Sequence, residues 1–162
     1  MPWFRRPEPP PGTPDEPETA PADSPEGLRA GITSVIRLVN SSAGRLPVRA
    51  VVAARRITDL LSEIVDTSDV RPLDVYAVIS VRSAVSDYLP TTLRNFLAVD
   101  DDLVDVPRAS GRTPTASLLD QLDFLEGSAL VVLEAAQQQD VDALMTQGSF
   151  LRTKFSRSDL EL

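Results

Sequence analysis

The stretch TPTASLLDQLDFLEGSALVVLEAA, residues 113–136, decides the fold class. Leu118, Leu122, Leu125, Ala129, Val132 and Ala136 recur at alternating steps of four and three. That spacing lines them up on one side of an α-helix and on no common face of a strand. Thr113-Pro114 opens the run as N-cap and first helical residue. Gln137, Gln138 and Gln139 follow as a join. Asp140 then caps a last run with Val141, Leu144, Gly148, Leu151 and Phe155 inward. The two runs are predicted to form an antiparallel hairpin.

Towards the N-terminus the same period returns. Residues 100–112 read as a loop, acidic at first and then carrying Pro107, Ser110 and Gly111. Before it, Leu93, Phe96 and Leu97 mark a short helix. A longer helix is predicted from Pro72 to Leu89, with Val75, Val78, Val85 and Leu89 on one seam. Leu73, Ala77, Val81, Ala84 and Tyr88 cover another, so this helix is expected to be the most buried of the set. Thr67-Ser68-Asp69 is a turn. The preceding helix restarts at Pro47, with Ala50, Ala54, Ile57, Leu61 and Ile64 as its stripe. Ser24-Pro25 opens the first helix, whose face is Leu28, Ile32, Val35, Ile36 and Val39.

Residues 1–23 differ in kind. Nine of the chain's 14 prolines lie in residues 1–25. Proline fixes φ and removes a donor, and Glu8, Asp15, Glu16 and Glu18 add repulsion, so a disordered, extended tail is expected. The domain plan is therefore a tail over 1–23, a helical bundle over 24–157 and a short C-terminal tail over 158–162. The fold class is all-α, a bundle of four to five helices, the fourth a short extension past a proline break.

Composition removes several chemistries. The chain has no Cys and no His. Zinc sites of Cys and His, thiol nucleophiles, Ser-His-Asp triads and disulfides are thus excluded. A net charge of −8 opposes non-specific binding to a phosphate backbone, so no nucleic acid is expected as a partner. Lys154 is the one lysine among 16 basic residues, a bias of GC-rich bacterial genomes. No run is long and apolar enough for a transmembrane helix, and the N-terminus lacks the apolar region of a signal peptide. A cytoplasmic location, with contact at a membrane periphery as a variant of it, is the expectation.

The most distinctive string is Tyr88-Leu89-Pro90-Thr91-Thr92-Leu93. Pro90 has no N–H for the Ser86 carbonyl, so a helix break or kink is predicted there. The hydroxyls of Thr91 and Thr92 are expected to occupy backbone groups that Pro90 leaves unpaired. A ligand site on the break is the less favoured reading.

With Phe96-Leu97 soon after it and the spacing to Leu118–Phe155, this string resembles the bacterial 5-bromo-4-chloroindolyl phosphate hydrolysis protein family. The resemblance spans about residues 73–155. It implies a helical domain and, from the family's name, hydrolysis of a phosphate ester, with a link to envelope stress or anion resistance. It carries no nucleophile or general base onto residues of this sequence.

Three further groups are candidates. Asp101, Asp102 and Asp105 have the spacing that puts carboxylates on one helix face for a divalent cation and diphosphate; a solvated acidic loop is the favoured alternative. Arg45, Arg49 and Arg56, with Arg55, flank the helix after Pro47 and are read as sharing a face. They suit an acidic protein surface, a phosphorylated partner or anionic lipid; pairing with Asp59 and Glu63 is the blander reading. Trp3-Phe4 beside Arg5-Arg6 suits a partner's pocket or a membrane surface, or folds back onto the domain. No acid, base and nucleophile are visible together, so no cofactor is expected. A non-enzymatic interaction module is favoured over a hydrolase or phosphate-binding protein.

Overall fold

The computed structural model describes residues 20–138, 148–149 and 151–153. They form an all-α bundle, with no strand among them. Helix α1 spans Pro25–Ser42, α2 Val48–Asp66, α3 Val75–Ser83, α4 Leu89–Leu97 and α5 Pro114–Gln138. No helix of the described residues is long and apolar enough to cross a membrane.

The helix starts obey cap chemistry. Ser24 Oγ accepts the Gly27 N–H at 3.0 Å with Pro25 in the first turn, and Thr113 Oγ1 accepts that of Ala116 at 3.0 Å. Each hydroxyl satisfies one orphan donor of its helix. The third helix starts later than Pro72. Asp74 is its N-cap, its carboxylate accepting the Tyr76 N–H at 2.8 Å.

Contacts along the helices give their directions. Arg55 donates to Asn40 Oδ1 near one end, and Arg29 pairs with Asp66 and Asp69 near the other, so α1 and α2 are antiparallel. Arg56–Glu126 and the bond from Arg71 to the Gln137 carbonyl run in the same order along both chains, so α2 and α5 are parallel. Helix α5 also lies against α3 and α4, and α1 packs on α2 and on the α3–α4 rod.

The core is aliphatic. Leu28, Ile32, Val35 and Val39 of α1 meet Ala50, Ala54, Ile57, Leu61 and Ile64 of α2, as the stripes predict. From α5 come Leu118, Leu122, Leu125, Ala129 and Val132. The seam then passes to Ala135, and Ala136 is only half-buried. Ser128 and Leu133 are buried as well, so the covered side of α5 is wider there than the single seam. Leu151 is buried against the same core; Asp140, Val141, Leu144 and Phe155 lie outside the described residues.

One expectation about the third helix fails. Only Ala77 and Val81 of α3 are buried, whereas Val75 and Ile79 face solvent, so α3 is not the most buried helix. Its apolar residues surround the helix, but neighbours cover only one side of it. Of the break or kink expected at Pro90, the break is absent. Residues 84–88 form a π-turn, in which Leu89 N–H reaches the Ala84 carbonyl, and α4 continues directly from it. The turn widens the helix by one residue where Pro90 lacks its donor and its ring would crowd a preceding carbonyl. Leu89, Pro90, Thr92 and Leu93 are buried there.

The tail boundary also moves. Residues 20–23 belong to the folded part: Ser24 N–H bonds the Pro21 carbonyl at 2.9 Å, and Asp23 pairs with Arg82 of α3 at 2.9 Å. Pro21 crosses so close to α1 that a Cβ on Gly27 would lie 2.1 Å from its carbonyl oxygen. Only glycine lets the chain enter the helix by this path.

Candidate interaction surface

Helix α2 buries one side on α1 and α5 and turns the other outward. At its N-terminal end Val48 is 80% exposed and Val52 52% exposed. They stand one turn apart and so share a face. Arg49 lies between them in sequence, exposed, with no ion-pair partner among the described residues.

The neighbouring arginines are held in place. Arg45 lies in the turn before α2, and Arg49 and Arg56 lie on the helix. Its guanidinium donates to the Leu97 carbonyl at 2.9 Å and to Asp101 Oδ1 at 3.2 Å. It thereby caps the C-terminus of α4, where carbonyls lack intrahelical partners and positive charge is favoured. Arg56 pairs across to Glu126 of α5 at 3.2 Å, and Arg55 reaches Asn40 of α1. The partners are thus residues of other elements and not Asp59 and Glu63. Exposed pairs of this kind contribute about 0–1 kcal/mol each, so their effect is chiefly to fix where positive charge sits.

Asp101, Asp102 and Asp105 lie in the turns after α4. No group of three or more acidic side chains among the described residues is arranged to hold a metal ion. Spacing that converges on a helix does not converge on a loop, and Asp101 is turned to Arg45. The loop itself is well tied: Thr115 donates to the Val104 carbonyl through both its N–H and its hydroxyl, and Gly111 takes a positive φ of 78° to close the Arg108–Arg112 turn.

At the π-turn, Thr91 Oγ1 donates to the Asp87 carboxylate at 3.2 Å and not to a backbone carbonyl as expected. Tyr88 packs half-buried against the core. Burial, and then the Asp87 charge, raise its phenol above the ordinary tyrosine pKa, with Arg152 opposing. A raised pKa means the fold favours the neutral phenol. That stability is intact below the unfolded pKa of about 10 and is lost as pH rises beyond it. Tyr88→Phe is therefore expected to flatten the loss of stability above about pH 10, measured by urea unfolding at a series of alkaline pH values. An unchanged slope would show that Tyr88 does not titrate with unfolding.

No protein-family model, curated protein or solved structure matches the chain. Trp3, Phe4, Arg5 and Arg6 lie outside the described residues. The feature missed in the sequence is the exposure of Val48 and Val52. The pair was visible as two valines four apart and off the Ala50–Ile64 stripe.

Proposed function

We propose that this chain is a non-enzymatic interaction module that recruits an acidic protein partner through the N-terminal half of α2. The observation that carries the reading is the outward Val48–Val52 pair with Arg49 beside it. Exposed apolar side chains on adjacent turns form a patch that association can dehydrate. Arg49 and Arg55, neither paired with a carboxylate among the described residues, place positive charge beside it on a chain of net charge −8. A local basic patch favours an acidic partner surface. An amphipathic acidic helix has the right form, laying apolar residues on the valines and carboxylates beside Arg49.

The phosphate-ester hydrolysis implied by the family resemblance gains no support from the site. It would need a nucleophile and a base in one cleft.

A photo-crosslinking residue at position 48 of the full chain, in cells of its source, tests the reading. An adduct with an acidic protein is expected, lost on Arg49→Glu, with none from the same probe at Ser86. Equal capture from both positions, or insensitivity to Arg49→Glu, would remove the α2 face from consideration. Co-sedimentation with phosphatidylglycerol vesicles that Arg49→Glu abolishes would replace the protein partner with a membrane surface.

A further inference from the structure

We infer that the acidic partner of the α2 face is a second copy of this chain, whose exposed turns after α4 seat on Val48, Arg49 and Val52. The inference rests on the α2 reading and names its partner.

The turns after α4 carry the chemistry that complements the α2 face. Leu103 is 46% exposed and Val106 47% exposed. Asp102 and Asp105 stand beside them, exposed and with no ion-pair partner among the described residues. Arg108 and Arg112 follow only after Pro107, and Arg112 is paired with Asp120 of α5. The segment holds its shape without a partner. Leu103 N–H bonds the Asp100 carbonyl at 2.9 Å, Val106 N–H bonds the Leu103 carbonyl at 3.1 Å, and Thr115 holds the Val104 carbonyl. A segment fixed in advance gives up little conformational freedom on docking.

The fold sets the two surfaces side by side. Arg45, three residues before Val48, is paired with Asp101, the neighbour of Asp102, at 3.2 Å. Neither surface covers the other, since Val48, Val52, Leu103 and Val106 all stay exposed. Adjacent, complementary surfaces on one molecule suit a two-fold interface, in which each contact is made twice. Valines of one protomer meet Leu103 and Val106 of its partner, and Arg49 meets the carboxylates of Asp102 and Asp105. The net charge of −8 opposes approach from afar. That repulsion is screened beyond about 8 Å in physiological salt, whereas the pairs act at contact. The apolar patch is small, so a reversible dimer is expected and not an obligate one.

Sedimentation equilibrium of the purified full chain, from about 1 µM to about 1 mM, spans weak specific association. The mass is expected to rise from one chain to two and to stop there. Arg49→Glu should weaken the dimer at least about tenfold, and so should Asp102→Lys with Asp105→Lys. An equimolar mixture of these two variants should dimerise again, because one contact is then charge-reversed and the other native. Recovery also shows that both variants are folded. Asp102→Asn with Asp105→Asn should weaken the dimer too, and serves if the lysine chain loses its helical circular dichroism. A wild-type monomer throughout the range would overturn the inference. The α2 reading would survive that result if position 48 captured a different acidic protein in an Arg49-dependent way. A dimer as tight in either variant, folded variants whose mixture does not recover, or a mass that climbs past two chains would each overturn the inference as well.

Discussion

Leu122→Ala is expected to lower the free energy of unfolding by about 2–5 kcal/mol. Leu122 is fully buried in the N-terminal half of α5, the helix against which α2, α3 and α4 all pack. Removing its branched end withdraws apolar surface from the core and leaves a cavity. The flanking residues, Leu118 and Leu125, are themselves held in the same seam and relax only partly. Leu130→Ala on the exposed side of α5 is the control. Its effect is expected to stay within about 0.5 kcal/mol. Urea unfolding followed by circular dichroism measures both. Equal, small effects would mean that α5 does not hold the bundle together.

Gly31→Ala should destabilise the protein although alanine is the better helix former. Propensity alone favours alanine by about 1 kcal/mol in a helix interior. Against it, a Cβ at this position would lie 2.8 Å from Cγ2 of Val85 in the π-turn. Valine is stiff at χ1 and cannot swing clear, so α1 or the π-turn must shift. Overpacking of this kind costs about 1–3 kcal/mol, which outweighs propensity over most of its range. Val85→Ala should cost stability alone and yet relieve Gly31→Ala when combined with it. A double-mutant cycle with a favourable coupling is the signature. A Gly31→Ala chain more stable than wild type would show that α1 does not press on the π-turn.

The regular parts of this fold were legible because helix periodicity is a local property. The Ala50–Ile64 and Leu118–Val132 stripes are buried as their spacing requires, and Ser24 and Thr113 cap as their chemistry suggests. Ala136 keeps the phase of the Leu118 seam, but spacing does not show how far along a helix its neighbours cover that face. Val75 was misread because an apolar side chain on a helix does not say whether anything covers it. Pro90 forbids one hydrogen bond, but a sequence does not show whether a chain answers by breaking or by adding a residue to the turn. The spacing of Arg45 from Arg49 and Arg56 suggests a shared face and says nothing of its partner. The role of Arg45 as a cap for α4 depends on Leu97, distant in sequence and brought near by the bundle. The Gly27 and Gly31 contacts were hidden for the same reason, since glycine leaves no mark of what approaches it.

The α2 face is tested most directly by titrating the crosslinked partner, purified, against the full chain and its Val48→Asp/Val52→Asp variant. The substitutions should spare the fold, because both side chains are exposed and an acid near a helix N-terminus is favourable. Kd is expected to rise at least about tenfold, a loss of about 1.4 kcal/mol, and wild-type affinity to fall with added salt as Arg49 is screened. An unchanged Kd for the folded variant would contradict the assignment of the α2 face.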